Sequence, residues 1–274
     1  TVMNIAVLLT CHNRKEKTIS CINGLSFSDA NIHFIVVDDG SNDGTVEALE
    51  GLRGTLEQGK ELTVIKGDGN LFYSGGMRKA MEYAGQQDRY DLYVLVNDDV
   101  SFDKGVLDKV GERLSDTGTV FVGAMRGTDG HCSYGGVRYT SGIHYKMVTP
   151  EDEGRECDTF NANFVAIPAD IFKSVPIMDP HYKHSLGDFD YGLAIKRAGY
   201  RIEVMKSYSG ICENNPSSGT WRDVKLSRIE RLKKKESIKG APFKQWFYFL
   251  NKNFGLFYAL VYSITPYIRI LIGK

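Results

Sequence analysis

The chain contains 274 residues, of which 42% are hydrophobic and 25% are charged. These proportions are ordinary for a globular protein and exclude collagen-like and low-complexity chains. The 34 basic and 34 acidic side chains balance, so net charge does not point to a nucleic-acid partner. Five scattered cysteines without a CxxC pair favour reduced thiols over a disulfide framework.

The first half of the chain alternates between short apolar strands and amphipathic helices. The predicted strands cover residues 5–10, 33–39, 62–66, 92–96 and 119–125, and the predicted helices cover 14–25, 44–52, 75–84 and 105–114. Such alternation is typical of right-handed βαβ units, which build a mostly parallel sheet with helices on its faces. We therefore predict an α/β fold.

The second half changes character twice. Residues 132–148 are rich in Gly, Tyr and β-branched side chains and predict a hairpin. Strands are predicted at 164–168 and 200–205, with a helix over 188–198 between them. The chain then becomes basic and afterwards aromatic, which predicts a helical tail over 216–274 that follows the α/β region 1–215.

Polar residues follow four of the predicted strands, at the point where each strand ends. In an open parallel sheet these carboxyl ends lie at one edge, where ligands bind. The residues are Thr10 and His12 after the first strand, Asp39 after the second, Asn70 and then Gly76 after the third, and Asn97, Asp98 and Asp99 after the fourth.

The adjacent carboxylates of Asp98 and Asp99 need a positive partner, because like charges repel and lose solvation near the protein interior. Helix N-termini at the same edge favour phosphate groups. Carboxylates beside phosphates would repel them unless a divalent cation lay between. The pattern therefore predicts Mg²⁺ or Mn²⁺, held by one or two carboxylates and by the phosphates of a diphosphate.

Each of these signals has a simpler interpretation. A pair of aspartates at a strand end is commonly a turn or a helix cap. Residues 39–50 fit much of a calcium-binding EF-hand loop, but that loop needs a helix before it, and a strand is predicted there. His181 and His184 lie one helical turn apart, but no further ligand is evident, so zinc is disfavoured.

Four stretches in chain order resemble the family-2 glycosyltransferases of GT-A fold. They are VLLTCHNRKEKTISCINGL, IVVDDGSNDGT, a strand that ends in NDD, and LGDFDYGLAIKRAGYRI, together covering roughly residues 3–215. The variant GNLFYSGGMRKA resembles bacterial enzymes of capsule, O-antigen or exopolysaccharide synthesis, rhamnosyltransferase-like ones among them. The resemblance implies a Rossmann-like GT-A domain over 1–215 that transfers a hexosyl or rhamnosyl group from a nucleotide sugar, usually with inversion.

The resemblance also implies a role for each matching residue. Thr10 and His12 border the nucleotide, and Asp39 bonds the base. Asn97-Asp98-Asp99 replaces the family's D-x-D with Asn first, which leaves Asp99 as the metal ligand and Asp98 near the ribose or the metal. Nucleotide-sugar contacts are also expected from Asn70, Gly76 and Arg78.

Asp188 matches the position of the family's catalytic base. The family usually has Glu before this Asp, whereas here Gly187 precedes it, so Asp190 is the competing candidate. An inverting transfer needs a base to deprotonate the acceptor hydroxyl while a metal stabilises the departing diphosphate. Asp188 starts a helix, whose N-terminus helps to keep a carboxylate ionised, although a plain helix cap is the alternative. Residues 132–148 and 160–163 are expected on the acceptor side, and His184 and Glu213 are weaker candidates for donor or metal contacts.

The tail combines positive charge with aromatic side chains. Residues 222–239 carry eight basic and three acidic side chains, and no charge occurs from 253 to 268. This pattern is typical of helices that lie in a membrane interface, where they would meet a lipid-linked saccharide acceptor. Packing of the tail on the α/β region, or a homodimer contact, explains it equally well. No nucleic-acid-binding motif accompanies it.

Two other functions compete with glycosyl transfer. A sugar-phosphate nucleotidyltransferase would need a glycine-rich basic loop after the first strand, where Thr10, His12 and Arg14 stand instead. A non-catalytic, membrane-docked subunit that binds nucleotide or carbohydrate is compatible with the same residues. The N-terminus lacks a basic-then-apolar signal segment and the chain lacks a spanning apolar run, so we expect a cytoplasmic protein, peripheral on the inner face of the cell membrane.

Overall fold

A computed structural model describes residues 2–27 and 30–274. The strands within these ranges are β1 (Met3–Cys11), β2 (Ala30–Asp38), β3 (Lys60–Lys66), β4 (Leu92–Val96), β5 (Ser101–Phe102), β6 (Thr119–Val122), β7 (Met125–Arg126), β8 (Cys132–Tyr134), β9 (Gly136–Ser141), β10 (His144–Val148), β11 (Thr159–Phe160), β12 (Phe164–Pro168), β13 (Arg201–Val204) and β14 (Gly210–Ile211).

The helices in the same ranges are α1 (Lys15–Gly24), α2 (Thr45–Arg53), α3 (Phe72–Gly85), α4 (Val106–Gly111), α5 (Ala169–Ser174), α6 (Gly187–Arg197), α7 (Arg228–Lys235), α8 (Phe243–Phe254), α9 (Leu256–Tyr262) and α10 (Thr265–Leu271). A short 3₁₀ turn at Ile238–Gly240 follows α7. None of the helices in the described ranges is long and apolar enough to cross a bilayer.

The main sheet has seven strands in the order β13-β6-β12-β4-β1-β2-β3. Every neighbouring pair is parallel except those that involve β12, which runs antiparallel to both β4 and β6. The mostly parallel sheet with flanking helices confirms the predicted α/β fold. Because β1, β2 and β4 are parallel, their carboxyl ends meet at one edge, as the polar residues after them predicted.

Two apolar clusters cover the two faces of the sheet. Alternate residues of β1 divide between them, with Ala6 and Leu8 in one cluster and Ile5, Val7 and Leu9 in the other. Strands that are buried on both faces read as continuous apolar runs, which is why the sequence pattern identifies them without alternation.

Two predicted elements differ from the structure. The strand predicted over 119–125 is two strands, β6 in the main sheet and β7 in a small sheet with β5, β14 and β8. The predicted hairpin over 132–148 contains the antiparallel pair β9–β10, while β8 joins that same small sheet. Hydrophobic pattern alone does not reveal which sheet a short apolar segment joins.

The tail folds back on the α/β region. Phe249, Leu250 and Ala259 form a third buried cluster together with Tyr182, which precedes α6. Within the tail, the buried guanidinium of Arg231 donates from Nε to the carbonyl oxygen of Trp221 at 2.8 Å. One explanation that the sequence leaves open for the aromatic residues is packing of the tail on the α/β region. The structure shows this packing for α8.

Candidate active site

A cavity of about 1200 Å³ lies at the carboxyl edge of the main sheet. Its wall combines residues from the ends of β1, β2 and β4, from the start of α6 and from the tail. Seven of the residues predicted from the sequence line it: Thr10, His12, Asp39, Asn97, Asp98, Asp99 and Asp188. The structure thus brings together the candidates that follow the first, second and fourth predicted strands and the one at the start of the 188–198 helix, whereas Asn70 and Gly76, which follow the third strand, are not on the cavity wall.

Arg14 holds the two adjacent carboxylates after β4. Its Nη1 lies 2.9 Å from Asp98 Oδ1 and 2.8 Å from Asp99 Oδ2. Burial raises the pKa of Asp98 to about 6, although Arg14 opposes this rise and Asp99 adds to it. A guanidinium with two carboxylates is a charge-assisted arrangement that compensates their repulsion. The sequence pattern suggested a cation for this place and did not identify Arg14.

The oxygen atoms around this pair suit a hard divalent cation. Asp98 and Asp99 supply carboxylates, and the buried Oδ1 of Asn97 has no hydrogen-bond partner among the described residues. Across the described ranges, no group of three or more His, Cys, Asp or Glu side chains is arranged to hold a metal ion. The residues therefore fit an ion of the Mg²⁺ or Mn²⁺ type that takes one or two carboxylates from protein and completes its coordination with phosphate and water. Arg14 occupies the same carboxylates, so it and such an ion would compete.

Asp39 organises the loop that leads into α3. Its Oδ1 accepts from the backbone N–H of Gly69 at 2.9 Å and of Leu71 at 3.2 Å, and its Oδ2 accepts from Phe72 N–H at 2.8 Å. These bonds satisfy N–H groups that a helix start leaves free, which explains why α3 begins at Phe72, three residues before the predicted start. His12 Nδ1 lies 2.7 Å from the Asp39 carbonyl oxygen, so the ends of β1 and β2 are joined here.

The EF-hand interpretation of residues 39–50 is wrong. The element before the loop is the strand β2, not a helix. Asp43 connects its own turn to the start of α1: its Oδ1 accepts from Thr45 N–H at 3.1 Å and its Oδ2 from Lys15 N–H at 3.1 Å.

Gly76 lets α3 approach the end of β1 closely. A Cβ atom at this position would lie 2.8 Å from Thr10 Cβ and nearer still to Thr10 Oγ1. Asn70 and Arg78 do not line the cavity. Asn70 is exposed and its N–H bonds Asp68 Oδ1 at 2.9 Å, while Arg78 Nε lies 3.8 Å from Glu82 on the same helix. Their assignment to the nucleotide sugar stays a prediction.

Asp188 lies on the cavity wall at the start of α6. Its Oδ2 accepts from Ala162 N–H at 3.2 Å and its Oδ1 from Phe189 N–H at 2.9 Å. No described residue forms an ion pair with it, and burial raises its pKa to about 6. A carboxylate with such a pKa is suited to general base catalysis near neutral pH. Gly187 precedes it because a Cβ there would lie 2.8 Å from Ser74 Cβ, so the Glu of the family pattern has no room.

Asp190, the competing candidate, has a different environment. It is 2% exposed, and its Oδ2 receives Lys252 Nζ at 2.7 Å while its Oδ1 receives Asn253 Nδ2 at 2.9 Å. Both donors belong to α8, so the bonds of Asp190 connect the tail to α6. These bonds indicate a structural role for Asp190. Of the two carboxylates, Asp188 is the one that lies on the cavity wall.

Of the three further candidate residues, His184 lines the cavity, whereas Glu213 and His181 do not. The buried Nδ1 of His184 has no hydrogen-bond partner in the part of the chain that the structure describes. Burial, helped by Lys239 and Arg14, lowers the pKa of His184 to about 4. Glu213 is exposed, does not line the cavity, and its Oε1 accepts from Thr128 N–H at 2.7 Å. His181 stacks on a tail tyrosine and bonds Asp179 at 2.8 Å, an arrangement that does not hold zinc with His184.

Sequence reasoning missed that the tail completes the cavity. The tail residues on its wall include two tryptophans and four cations: Trp221, Trp246, Arg222, Lys235, Lys239 and Arg269. Lys235 is buried and donates from Nζ to the carbonyl oxygen of Gly240 at 3.2 Å. The basic excess over 222–239 was visible in the sequence, but its position beside the aspartates depends on the tertiary fold.

Some residues of each segment expected on the acceptor side line the cavity. The β9–β10 hairpin contributes Tyr139, His144 and Tyr145, and the segment before β12 contributes Asn161 and Asn163. Aromatic and amide side chains of this kind suit a sugar, because rings stack on its apolar faces and amides bond its hydroxyls.

Comparison with known proteins supports the same fold and family. A search of curated proteins found no match. Among solved structures, the mannosyltransferase PcManGT from Pyrobaculum calidifontis, in complex with GDP-Man and Mn²⁺, superposes with a TM-score of 0.59 and 15% identity, over 98% of this chain and 73% of that one. S. aureus TarS 1–349 gives 0.57 and 16%, over 98% and 81%, and its complex with UDP-GlcNAc gives 0.54 and 14%, over 98% and 80%. These likenesses show that the fold is of the GT-A type. The model of glycosyl transferase family 2 matches residues 6–167, and the chain therefore belongs to that family.

Proposed function

We propose that this glycosyltransferase catalyses an inverting transfer of a hexosyl or rhamnosyl group from a nucleoside diphosphate sugar to a saccharide hydroxyl, in the synthesis of a capsule, O-antigen or exopolysaccharide. One observation supports the proposal most strongly. The same cavity holds an acidic pair bridged by Arg14 and a separate carboxylate, Asp188, that forms no ion pair with any described residue.

Asp188 is the base in this proposal. As the acceptor hydroxyl oxygen attacks the anomeric carbon, Asp188 takes the hydroxyl proton, and the bond between that carbon and the diphosphate oxygen breaks. The electron pair of the broken bond stays on the diphosphate. Attack from the face opposite the leaving group inverts the configuration at the anomeric carbon.

The departing diphosphate gains negative charge, which the site can stabilise. Asp98 and Asp99 would hold a divalent ion that supplies charge neutralisation when bound. This chain's own cations add to it, because Arg222, Lys239 and Arg269 from the tail line the same cavity. His12 and Asp39 lie where β1 and β2 end, which is the expected place for the nucleotide.

Release of nucleoside diphosphate from a panel of UDP-, GDP- and dTDP-sugars, measured with Mn²⁺ and with a chelator, tests the proposal. We expect one donor to be used, only with the metal, and a product with inverted anomeric configuration by NMR. Binding without turnover for every donor, in the presence of lipid-linked and free saccharides, would support the non-catalytic alternative. Turnover that the chelator leaves unchanged would contradict the metal assignment alone.

A further inference from the structure

Helices α9 and α10 expose a continuous set of large apolar side chains. Phe257 is 70% exposed, and every other member is at least 43% exposed. We call this set the apolar face, and its members are Leu256, Phe257, Leu260, Val261, Ile264, Ile268, Leu271 and Ile272. Their spacing of one, three and four residues places them on one side of each helix. Exposed apolar patches of this kind mark surfaces that bind a partner or a membrane.

The opposite sides of the same two helices contact the rest of the protein. Ala259 and Ile270 are fully buried. Tyr262, Pro266 and Arg269 line the cavity described above. The two helices therefore separate the cavity from the apolar face, and whatever covers that face lies beside the cavity.

The charge around the apolar face favours an anionic occupant. Residues 237–274 contain five basic side chains and no acidic one. Lys252 is paired with Asp179 and Asp190 and Arg269 lines the cavity, whereas Lys244 and Lys274 are exposed. Glu236, just before this range, accepts a hydrogen bond from the Tyr267 hydroxyl of α10. A second copy of the chain would bring these like charges together across a two-fold interface, which opposes association. A bilayer with anionic lipids complements both the apolar side chains and the cations.

We propose that the apolar face inserts into the interface of an anionic lipid bilayer, with α9 and α10 lying along the membrane surface. The seven-residue helices are too short to span it, so the attachment is peripheral. Docking in this way holds the cavity at the level of the lipid headgroups. On the proposed function, this position would let an acceptor that is carried on a lipid enter the site.

Flotation of the full chain with vesicles tests the docking without any need for activity. The vesicles are phosphatidylcholine alone, or phosphatidylcholine with phosphatidylglycerol at about 3:1, a charged mixture of the kind that attracts basic segments. The test variant combines Phe257→Ser, Leu260→Ser and Ile264→Ser. The matched control combines Val224→Ser and Ile229→Ser, which remove two apolar side chains that are 64% and 68% exposed elsewhere in the tail.

We expect the wild-type chain to float with the anionic vesicles, less so at high salt. The triple variant should lose roughly 100-fold in apparent affinity, because each lost apolar contact reduces binding several-fold. The control variant should bind like wild type. Circular dichroism and release of nucleoside diphosphate to water, both without lipid, should be the same for all three proteins, so failure of the docking and failure of the proposed function give different results.

Three results would overturn the proposal. The wild-type chain would stay in the aqueous fraction with both vesicle types, or the triple variant would float as well as wild type. Alternatively, light scattering would show a wild-type dimer that the triple variant dissociates, and the apolar face would then be a contact between copies.

Discussion

Asp188 and Asp190 lie two residues apart at the start of α6 and face different surroundings. Asp188 is on the cavity wall and accepts hydrogen bonds from the backbone N–H groups of Ala162 and Phe189. Asp190 is buried and accepts hydrogen bonds from Lys252 and Asn253 of α8. On a helix, residues two apart point to different sides, so adjacent carboxylates can serve different purposes. Substitution of each should therefore produce a different kind of defect.

Asp188→Asn should abolish turnover while the nucleotide still binds. The amide cannot accept the proton of the acceptor hydroxyl, and loss of a general base costs about 10²–10⁴-fold in rate. Calorimetry with the nucleoside diphosphate and kcat with saturating donor separate binding from chemistry. Glu47→Gln, on the exposed side of α2, is the control and should keep full activity. Full activity in Asp188→Asn would rule this residue out as the base.

Asp188→Asn and Asp190→Asn should change the free energy of unfolding in opposite directions at pH 7.5. The folded pKa of Asp188, about 6, lies above its ordinary value of 3.8, so its ionised form destabilises the fold. This cost is absent below pH 3.8, grows up to about pH 6 and is complete above it. The Asn amide can accept only one of the two backbone N–H bonds that Asp188 accepts, and this loss offsets much of the gain, so Asp188→Asn should stabilise by only about 1 kcal/mol.

Asp190→Asn should instead destabilise by about 2–3 kcal/mol, since it leaves the cation of Lys252 with one carboxylate fewer. Urea denaturation of both variants and wild type gives the comparison. Destabilisation by both substitutions would mean that Asp188 is also a structural carboxylate.

Turnover should decrease as the pH falls through about 6. Asp188 must be ionised to act as a base, and Asp98 must be ionised to hold a cation; the pKa of each is raised to about 6 by burial. The pH dependence of kcat/KM measures both groups, whereas the pH dependence of nucleotide and Mn²⁺ binding depends on Asp98. An activity that is constant from pH 5 to pH 8 would contradict both assignments.

Arg14→Met should strengthen the binding of Mn²⁺ to the free protein. The guanidinium lies 2.9 Å and 2.8 Å from the two carboxylates that the ion would use, so its removal ends the competition. We expect the affinity for Mn²⁺ to rise about tenfold at pH 8, because the half-exposed guanidinium no longer repels the ion. A tenfold change corresponds to about 1.4 kcal/mol of binding free energy. Electron paramagnetic resonance of Mn²⁺ without nucleotide measures it. Arg53→Met, which removes a guanidinium of similar exposure on α2, should leave the affinity unchanged.

Gly76→Ala should disturb the site through Thr10. The added Cβ would lie 2.8 Å from Thr10 Cβ, so α3 or the end of β1 must shift. We expect a loss of about 1–3 kcal/mol in the free energy of unfolding, as overpacking typically costs, and a raised KM for the donor. Gly51→Ala in α2 is the control: nothing lies within 4 Å of its Cβ position, so it should be neutral or slightly stabilising. Equal behaviour of the two variants would show that α3 tolerates the shift.

The sheet and its edge could be predicted because their signals are local. Apolar runs followed by Asp39 or by Asn97-Asp98-Asp99 identify buried strands and their ends without knowledge of the partners. The position of Asp188 at the site could be predicted because its motif, and the place of that motif in the chain, resembled those of the family. Asn70 and Arg78 were also candidates for nucleotide-sugar contacts; they lie off the cavity wall, with Asn70 Nδ2 3.5 Å from the Asp68 carbonyl oxygen and Arg78 Nε 3.8 Å from Glu82, and their role stays a prediction.

Other parts of the site depend on contacts between distant residues. Arg14 is separated from Asp98 by 84 positions, and a single arginine after a strand looks like any surface cation until the helix α1 is placed. Lys252 is likewise 62 positions from Asp190. The cations of the tail line the cavity because the tail folds back on the α/β region, and no local propensity encodes that packing.

On the proposed function, the antiparallel direction of β12 affects which loops can contact the acceptor. Because β12 runs against β4 and β6, the loop that precedes it, with Asn161 and Asn163, reaches the same rim as the loops that follow β1 and β4. The β9–β10 hairpin lies in the excursion between β6 and this reversed strand, outside the main sheet. On the proposed function, we predict that replacing the β9–β10 hairpin would change which saccharide is accepted, while the main-sheet strands keep their register because the hairpin lies outside that sheet.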